Sequence, residues 1–325
     1  MTNKERYAAF EKKIFIPIYS KSWWMNAVCG AKNWDVWLYG ENNDILAAMP
    51  YYFEKRGKYH YITKALLTQN NGIIFRYPEF VKIAEKAKFE EKIINAACDF
   101  IQLTGVDVYE QQYMTAFRNV LPFYWRGYTA IPRYTYVIDT CNGLESIWQN
   151  MTSNKRKNIK KGQRNGRICE TMSETDFYLA HKKIFDKQGL PNPFSYELWH
   201  ELYHTLKDNK CCKILFSKGM EGQVQSILFL IWDEKNVYLL LGGNMPEYSN
   251  LETYSALIWE GIQFAEREHK NFDFEGSVIK RISKSFREFG GELREYYRIR
   301  KIFNKDIMLM ETTDKIKNLE YGGKG

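Results

Sequence analysis

The sequence predicts a mixed α/β (α+β) chain of two similar halves, each a central, mostly antiparallel sheet flanked by helices. Three observations predict it. In the second half the apolar pattern changes period in a readable order, from three strand-like runs to one long helical run and back to short runs. The first half repeats that order of elements with little residue identity. Hydrophobic residues make up 45% of the 325 and aromatics 16%, with no low-complexity tract, so most of the chain carries the apolar surface that a packed core needs.

The second half is the clearer one. "CCKILFSKG" (211–219) and "QVQSILFLIWD" (223–233) read as strands joined by a turn at Met220 to Gly222, and "NVYLLLGG" (236–243) follows the turn "DEKN" as a third. A helix over 250–269 places Tyr254, Leu257, Ile258, Gly261, Ile262 and Ala265 on one stripe. "FDFEGS" (272–277) is then a short buried strand, "IKRISKSFREF" (279–289) a helix ended by Gly290 and Gly291, and "ELREYYRIRKIF" (292–303) a last strand.

In the first half "WDVWLYG" (34–40), the turn "ENND", "ILAAMPYYFEK" (45–55) and "HYITKALL" (60–67) form the meander. A helix from Glu79 to Leu103, a strand in "VDVYEQQY" (106–113), a helix in "MTAFRNVLPFYW" (114–125) and a strand in "YTAIPRYTYVID" (128–139) complete the plan. The boundary falls near Asp139 to Gly143, which gives domains 1–140 and 141–325.

The start of the chain lacks the basic stub and apolar core of a signal peptide, and the longest apolar runs are far short of the roughly 20 residues that cross a bilayer. Six cysteines without framework spacing read as reduced, packed thiols. A cytoplasmic protein without a transmembrane segment is expected. Net charge is +8, and "NKRKNIKKGQRNGR" (154–167) holds seven basic residues and no acid, a surface for something anionic.

"WHELYH" contains H-E-x-x-H, the spacing at which a helix holds zinc beside a general base: His200, Glu201 and His204. On that helix Trp199, Leu202, Tyr203 and Leu206 form the apolar stripe, so the histidines lie about 100 to 140° away, towards solvent. The sequence nearby offers no third ligand. A zinc metallopeptidase is therefore kept only as an alternative.

"YLLLGGNMPEYSN", the helix with "ALIWEGIQFAEREH", then "FDFEGS" and "FREFGGEL" are similar to the GNAT superfamily of acyltransferases, in which a strand ends at a small-residue turn ahead of a helix. Two such halves in one chain resemble the Fem family of peptidyltransferases, and "NKRKNIKKGQRNG" looks like the basic helix that opens that family's second domain. The resemblance covers 153–297 and implies tandem GNAT-like domains. It also implies an acyl or aminoacyl transferase acting on an amine of a cell-envelope precursor, polysaccharide or lipid. Arg287 stands where the family has a lysine, and the Q/R-x-x-G-x-G/A loop that cradles coenzyme A is absent. No bound cofactor is implied, and the donor is left open between aminoacyl-tRNA and acyl-CoA. The implied partners are anionic: tRNA, a nucleotide-linked precursor or coenzyme A.

Asp273 and Glu275, two apart on a strand, should share a face and bind or deprotonate an amine. By resemblance, backbone N–H groups around Gly242, Gly243 and Asn244 should stabilise the oxyanion. Arg287 would bind an anionic group, and Lys155, Arg156, Lys160 and Lys161 a phosphate. Tyr254, and Gln69 and Asn70 of the "TQNNG" turn, complete the substrate-binding candidates. A non-catalytic RNA-binding protein using 154–167 is the alternative from another class.

Overall fold

The computed structural model describes residues 1–41, 44–79, 82–187, 189–276 and 279–321. In chain order, the first half carries α1 (Asn3–Phe10), α2 (Ser22–Cys29), β1 (Trp34–Glu41), β2 (Asp44–Arg56), β3 (Tyr59–Thr63), β4 (Ile74–Phe75), α3 (Ile83–Leu103), β5 (Val108–Gln112), α4 (Leu121–Trp125) and β6 (Thr129–Ile138). The second carries α5 (Gly143–Asn150), α6 (Ser153–Asn165), β7 (Arg167–Cys169), α7 (Glu174–Asp186), α8 (Tyr196–Asp208), β8 (Cys212–Lys218), β9 (Val224–Trp232), β10 (Asn236–Asn244), α9 (Thr253–Arg267), β11 (Asn271–Asp273), α10 (Lys280–Arg287), β12 (Glu292–Ile302) and α11 (Lys305–Tyr321). The mixed α/β class is as the sequence predicts. The "ENND" turn falls on Asn42 and Asn43, and the end of "FDFEGS" on Ser277, outside the described residues.

The chain divides into two compact units, Met1–Pro132 with Tyr296–Gly325, and Arg133–Glu295. In the first, β1, β2 and β3 form an antiparallel meander, β3 runs parallel to β5 (Tyr61 beside Val108), and β5 pairs antiparallel with β12 (Val108 beside Ile302). In the second, β7, β8, β9 and β10 are antiparallel neighbours, β10 runs parallel to β11 (Asn236 beside Asn271), and β11 pairs antiparallel with β6 (Phe272 beside Ile138).

The plan is thus repeated, but the division is not the expected one at residue 140. The strand that closes each sheet comes from the other half of the sequence, so 133–140 go with the second unit and the residues from 296 on with the first. Cutting at 140 would strip each inner strand of a hydrogen-bonded neighbour.

Burial explains the elements. Ile227 to Ile231 of β9 are all at 0% exposure, as a continuous apolar run in a sheet covered on both faces requires. Over them lies α9, whose Leu257, Ile258, Ile262 and Ala265 face the core of the second unit. In the first unit α3 buries Ile93, Ile94, Ala97, Cys98 and Ile101 against Tyr109, Tyr113 and Phe123.

Several helices are shorter than the sequence suggests; the one expected from Glu79 is helical from Ile83, with residues 80 and 81 outside the described residues. The segment 114–125 is helical only over α4, because Pro122 fits the first turn and cannot sit further in. The helix expected from 250 begins at Thr253, after a 3-10 turn over Pro246–Leu251 and a left-handed Glu252 (φ 63°).

Candidate active site

Within the second unit β10 and β11 are parallel partners only from Asn236 to Tyr238 and from Asn271 to Asp273. There β11 stops, while β10 runs on to Asn244 with a bulge between Leu239 and Leu241. The two strands fork, and a cleft of about 810 Å³ opens between them, lined by Leu239 to Asn244, Tyr254, Phe274, Glu275 and Gly276. Two helices complete it, α7 through His181, Ile184 and Phe185, and α10 through Arg281, Ile282, Ser285 and Phe286.

The fork has a local cause. Asp273 Oδ1 accepts from Thr135 Oγ1 at 2.6 Å and from the backbone N–H of Glu275 at 2.8 Å, a side-chain turn that replaces the next rung of the ladder. Glu275 follows in the left-handed region at φ 60° and Gly276 at φ 73°; a Cβ on Gly276 would lie 2.0 Å from the Tyr134 carbonyl oxygen. The strand alternation therefore ends at Phe274.

This corrects the expectation that Asp273 and Glu275 share a face. Glu275 lines the cleft, whereas Asp273, 6% exposed, does not line it and holds the turn. Glu275 Oε1 is shielded from solvent and has no hydrogen-bond partner among the described residues, and burial holds its carboxyl well above the ordinary range. Burial also raises Asp273, to about 6, against the lowering pull of Thr135, the Glu275 N–H and Arg294.

Asn244 Oδ1, on the same cleft, is likewise shielded and without a partner among the described residues. Gly242 stands against the Tyr254 ring, where a Cβ would come 3.0 Å from its hydroxyl and 2.7 Å from the Ile227 carbonyl oxygen. Burial raises the Tyr254 hydroxyl. His181, 3% exposed, packs among Phe177, Phe185 and Phe194 with Nδ1 2.9 Å from Asn192 Oδ1, and burial lowers it to about 4, a neutral imidazole on the cleft wall.

The basic candidates separate. Lys155, 3% exposed, donates to Ser285 Oγ at 3.0 Å, lies 3.8 Å from Glu288 and sits 4.6 Å over the Phe289 ring. Arg156 Nη1 donates to the carbonyls of Trp148, Gln149 and Met151 at the end of α5. Both are structural where a phosphate contact was expected. Lys157, Lys160, Lys161, Arg164 and Arg167 remain exposed along α6 and its exit. Arg287 is exposed at the end of α10 but does not line the cleft, since the lining face of that helix runs through 281, 282, 285 and 286.

Gln69 and Asn70 belong to the first unit, buried at 8% each and bonded to one another through Asn70 Nδ2 and Gln69 Oε1 at 3.0 Å. His181, Arg281 and Ser285 escaped the sequence reading. A signal for His181 existed: Phe177, Ala180, His181 and Ile184 fall at i, i+3, i+4 and i+7 on α7, which was not recognised as a helix.

The start of α9 is closed. Gly162 of α6 packs so tightly that a Cβ would lie 2.2 Å from the Glu252 carbonyl oxygen, Asn165 Nδ2 donates to the Leu251 carbonyl at 3.1 Å, and Thr253 is at 0% exposure.

Residues 149–278 match the sequence model of the acetyltransferase (GNAT) domain family. No curated protein matches the sequence. Among solved structures the chain is similar to FemX, with 12% identity, 95% of this chain and 98% of that one covered and a TM-score of 0.68. It is also similar to L-PGS from Bacillus licheniformis (12% identity, 97% and 95% covered, TM-score 0.53) and to a tandem GNAT protein from the clavulanic acid biosynthesis pathway (6%, 83% and 82%, TM-score 0.51). Residues 149–278 thus carry the sequence pattern of an acetyltransferase (GNAT) domain, and the chain is similar in fold to FemX and to a tandem GNAT protein.

Proposed function

We propose that the cleft of the second unit transfers an aminoacyl group from aminoacyl-tRNA to an amine on a cell-envelope precursor, polysaccharide or lipid. The observation that carries this reading is the pair of shielded oxygens, Glu275 Oε1 and Asn244 Oδ1, on one cleft and without partners among the described residues. Two acceptors without donors suit an ammonium, which brings three donors and a charge.

Glu275, pushed up by burial, is a stronger base than an ordinary carboxylate and takes one proton from the ammonium. The freed amine nitrogen bonds to the acyl carbon, whose oxygen gathers negative charge beside the open edge of β10. The carbon–oxygen ester bond to the donor then breaks. Its ribose oxygen leaves with a proton from the former ammonium, and an amide remains. Alignment of the two substrates in a shared cleft supplies much of the acceleration.

The closed N-terminus of α9 favours tRNA over coenzyme A as donor, because the buried Thr253 and the abutting α6 leave no open helix end for a pyrophosphate. The exposed cations Lys157, Lys160 and Lys161 offer the tRNA backbone a surface whose binding should weaken with salt. The resemblance to FemX and L-PGS structures is consistent with envelope chemistry, and among the described residues no helix is long and apolar enough to cross a membrane.

The test is transfer of label to amine-bearing envelope precursors from a charged tRNA pool and, separately, from acetyl-CoA. Label transferred from tRNA alone is the expected result. Transfer from acetyl-CoA alone overturns the donor, and transfer from neither overturns the reaction.

A further inference from the structure

His200 and His204 stand one turn apart on α8 with ring centres 4.4 Å from each other. The third group that the sequence did not reveal arrives from α7. The Glu174 carboxylate lies against both rings, with Oε1 2.5 Å from His200 Nδ1 and Oε2 2.8 Å from His204 Nε2. One ligand atom from each residue falls within 4.8 Å of the other two.

The histidine side chains are about half exposed, at 53% and 55%, and open to an incoming ion, while that of Glu174 is 14% exposed. The carboxylate is held in place. Tyr196 donates its hydroxyl to Oε1 at 3.3 Å, and Trp199 Nε1 donates to the Glu174 backbone carbonyl at 3.0 Å.

We propose that Glu174, His200 and His204 form a divalent transition-metal site of zinc type that clamps α7 to α8. Ligands about 2.0 to 2.2 Å from zinc stand roughly 3.3 Å apart, so the present contacts need to open by less than about an ångström. Two imidazoles with one carboxylate select zinc, cobalt, nickel or copper over magnesium and calcium. Water fills the remaining positions.

The site is not that of a peptidase. Glu201, the residue the H-E-x-x-H motif would use as a base, is exposed and outside the three-residue group. The ion instead acts on α7, the helix that carries His181, Ile184 and Phe185 to the cleft, and fixes that wall. The site stands whether or not the cleft performs aminoacyl transfer.

The test is a titration of the full chain, stripped with chelator, with Zn²⁺ and with Co²⁺. Ion stoichiometry is read by native mass spectrometry and the cobalt site by its visible absorption. One ion per chain is expected, with affinity falling by at least about a hundredfold in H204A and E174Q and unchanged in E201Q and H269A. Metal-free melting curves of each variant establish that it is folded. Equal binding by H204A and wild type, or no stoichiometric binding by wild type, overturns the site. Loss in E201Q as well as H204A also overturns it, because Glu201 would then be a ligand of the ion.

Discussion

The two units share one strand order and differ at the fork. In the first unit, β3 and β5 are parallel at Tyr61–Ile62 and Val108–Tyr109, just as β10 and β11 are in the second. The chain then comes back to β5. The Asn71 N–H donates to the Gln112 carbonyl at 2.6 Å, Asn71 bridges to Tyr113, and Thr68, Gln69, Asn70 and Asn71 are all buried. In the second unit nothing comparable follows Tyr238 among the described residues, and Gly242, Gly243 and Asn244 line an open cleft. One repeat has its fork closed by its own backbone; the other keeps it open with two unsatisfied oxygens inside. Duplication of a fold does not duplicate a site.

The closed fork should break where it is tightest. Gly72 has φ 105°, and a Cβ there would lie 2.7 Å from the Tyr113 ring, so G72A combines backbone strain with overpacking. A loss of about 2–4 kcal/mol in chemical denaturation is expected. The open fork should respond in the opposite way. A Cβ on Gly243 meets only the flexible Ile184 side chain at 3.1 Å, so G243A should leave the melting temperature nearly unchanged while lowering kcat/KM about tenfold by filling the cleft.

An effect that depends on pH concerns His181. Its folded pKa is near 4 against 6.5 for the free imidazole, so below pH 6.5 the unfolded chain binds the extra proton. Stability contributed by the neutral ring is present above pH 6.5 and should fall by roughly 3 kcal/mol towards pH 4. H181F should flatten that slope when denaturation midpoints are followed against pH.

Much of the fold was legible in the sequence because the signals were local. The apolar run of β9, the stripe of α9 and the glycine stop after α10 each declare themselves within a few residues. The exchange of closing strands was not legible, since the period of β12 does not say which inner strand it joins.

The site was legible in part. Glu275, Tyr254 and the β10 terminus, named from the sequence, line the cleft, but Asp273 and Glu275 were placed on one face because alternation assumes a strand that continues, and Asp273 itself ends it. Lys155 and Arg156 look like any other members of a basic helix until Ser285 and the end of α5 come within reach. Glu174 was missed for a related reason: it lies 26 residues before His200 on a different helix.

The most direct measurement is the turnover of E275Q with an amine acceptor and charged tRNA. Glutamine keeps the shape of the side chain and cannot take the proton. The account predicts a melting temperature close to wild type and a kcat lower by about 10²- to 10⁴-fold. A folded E275Q protein that turns over within twofold of wild type would contradict the assignment of the open fork as the place where the amine is activated.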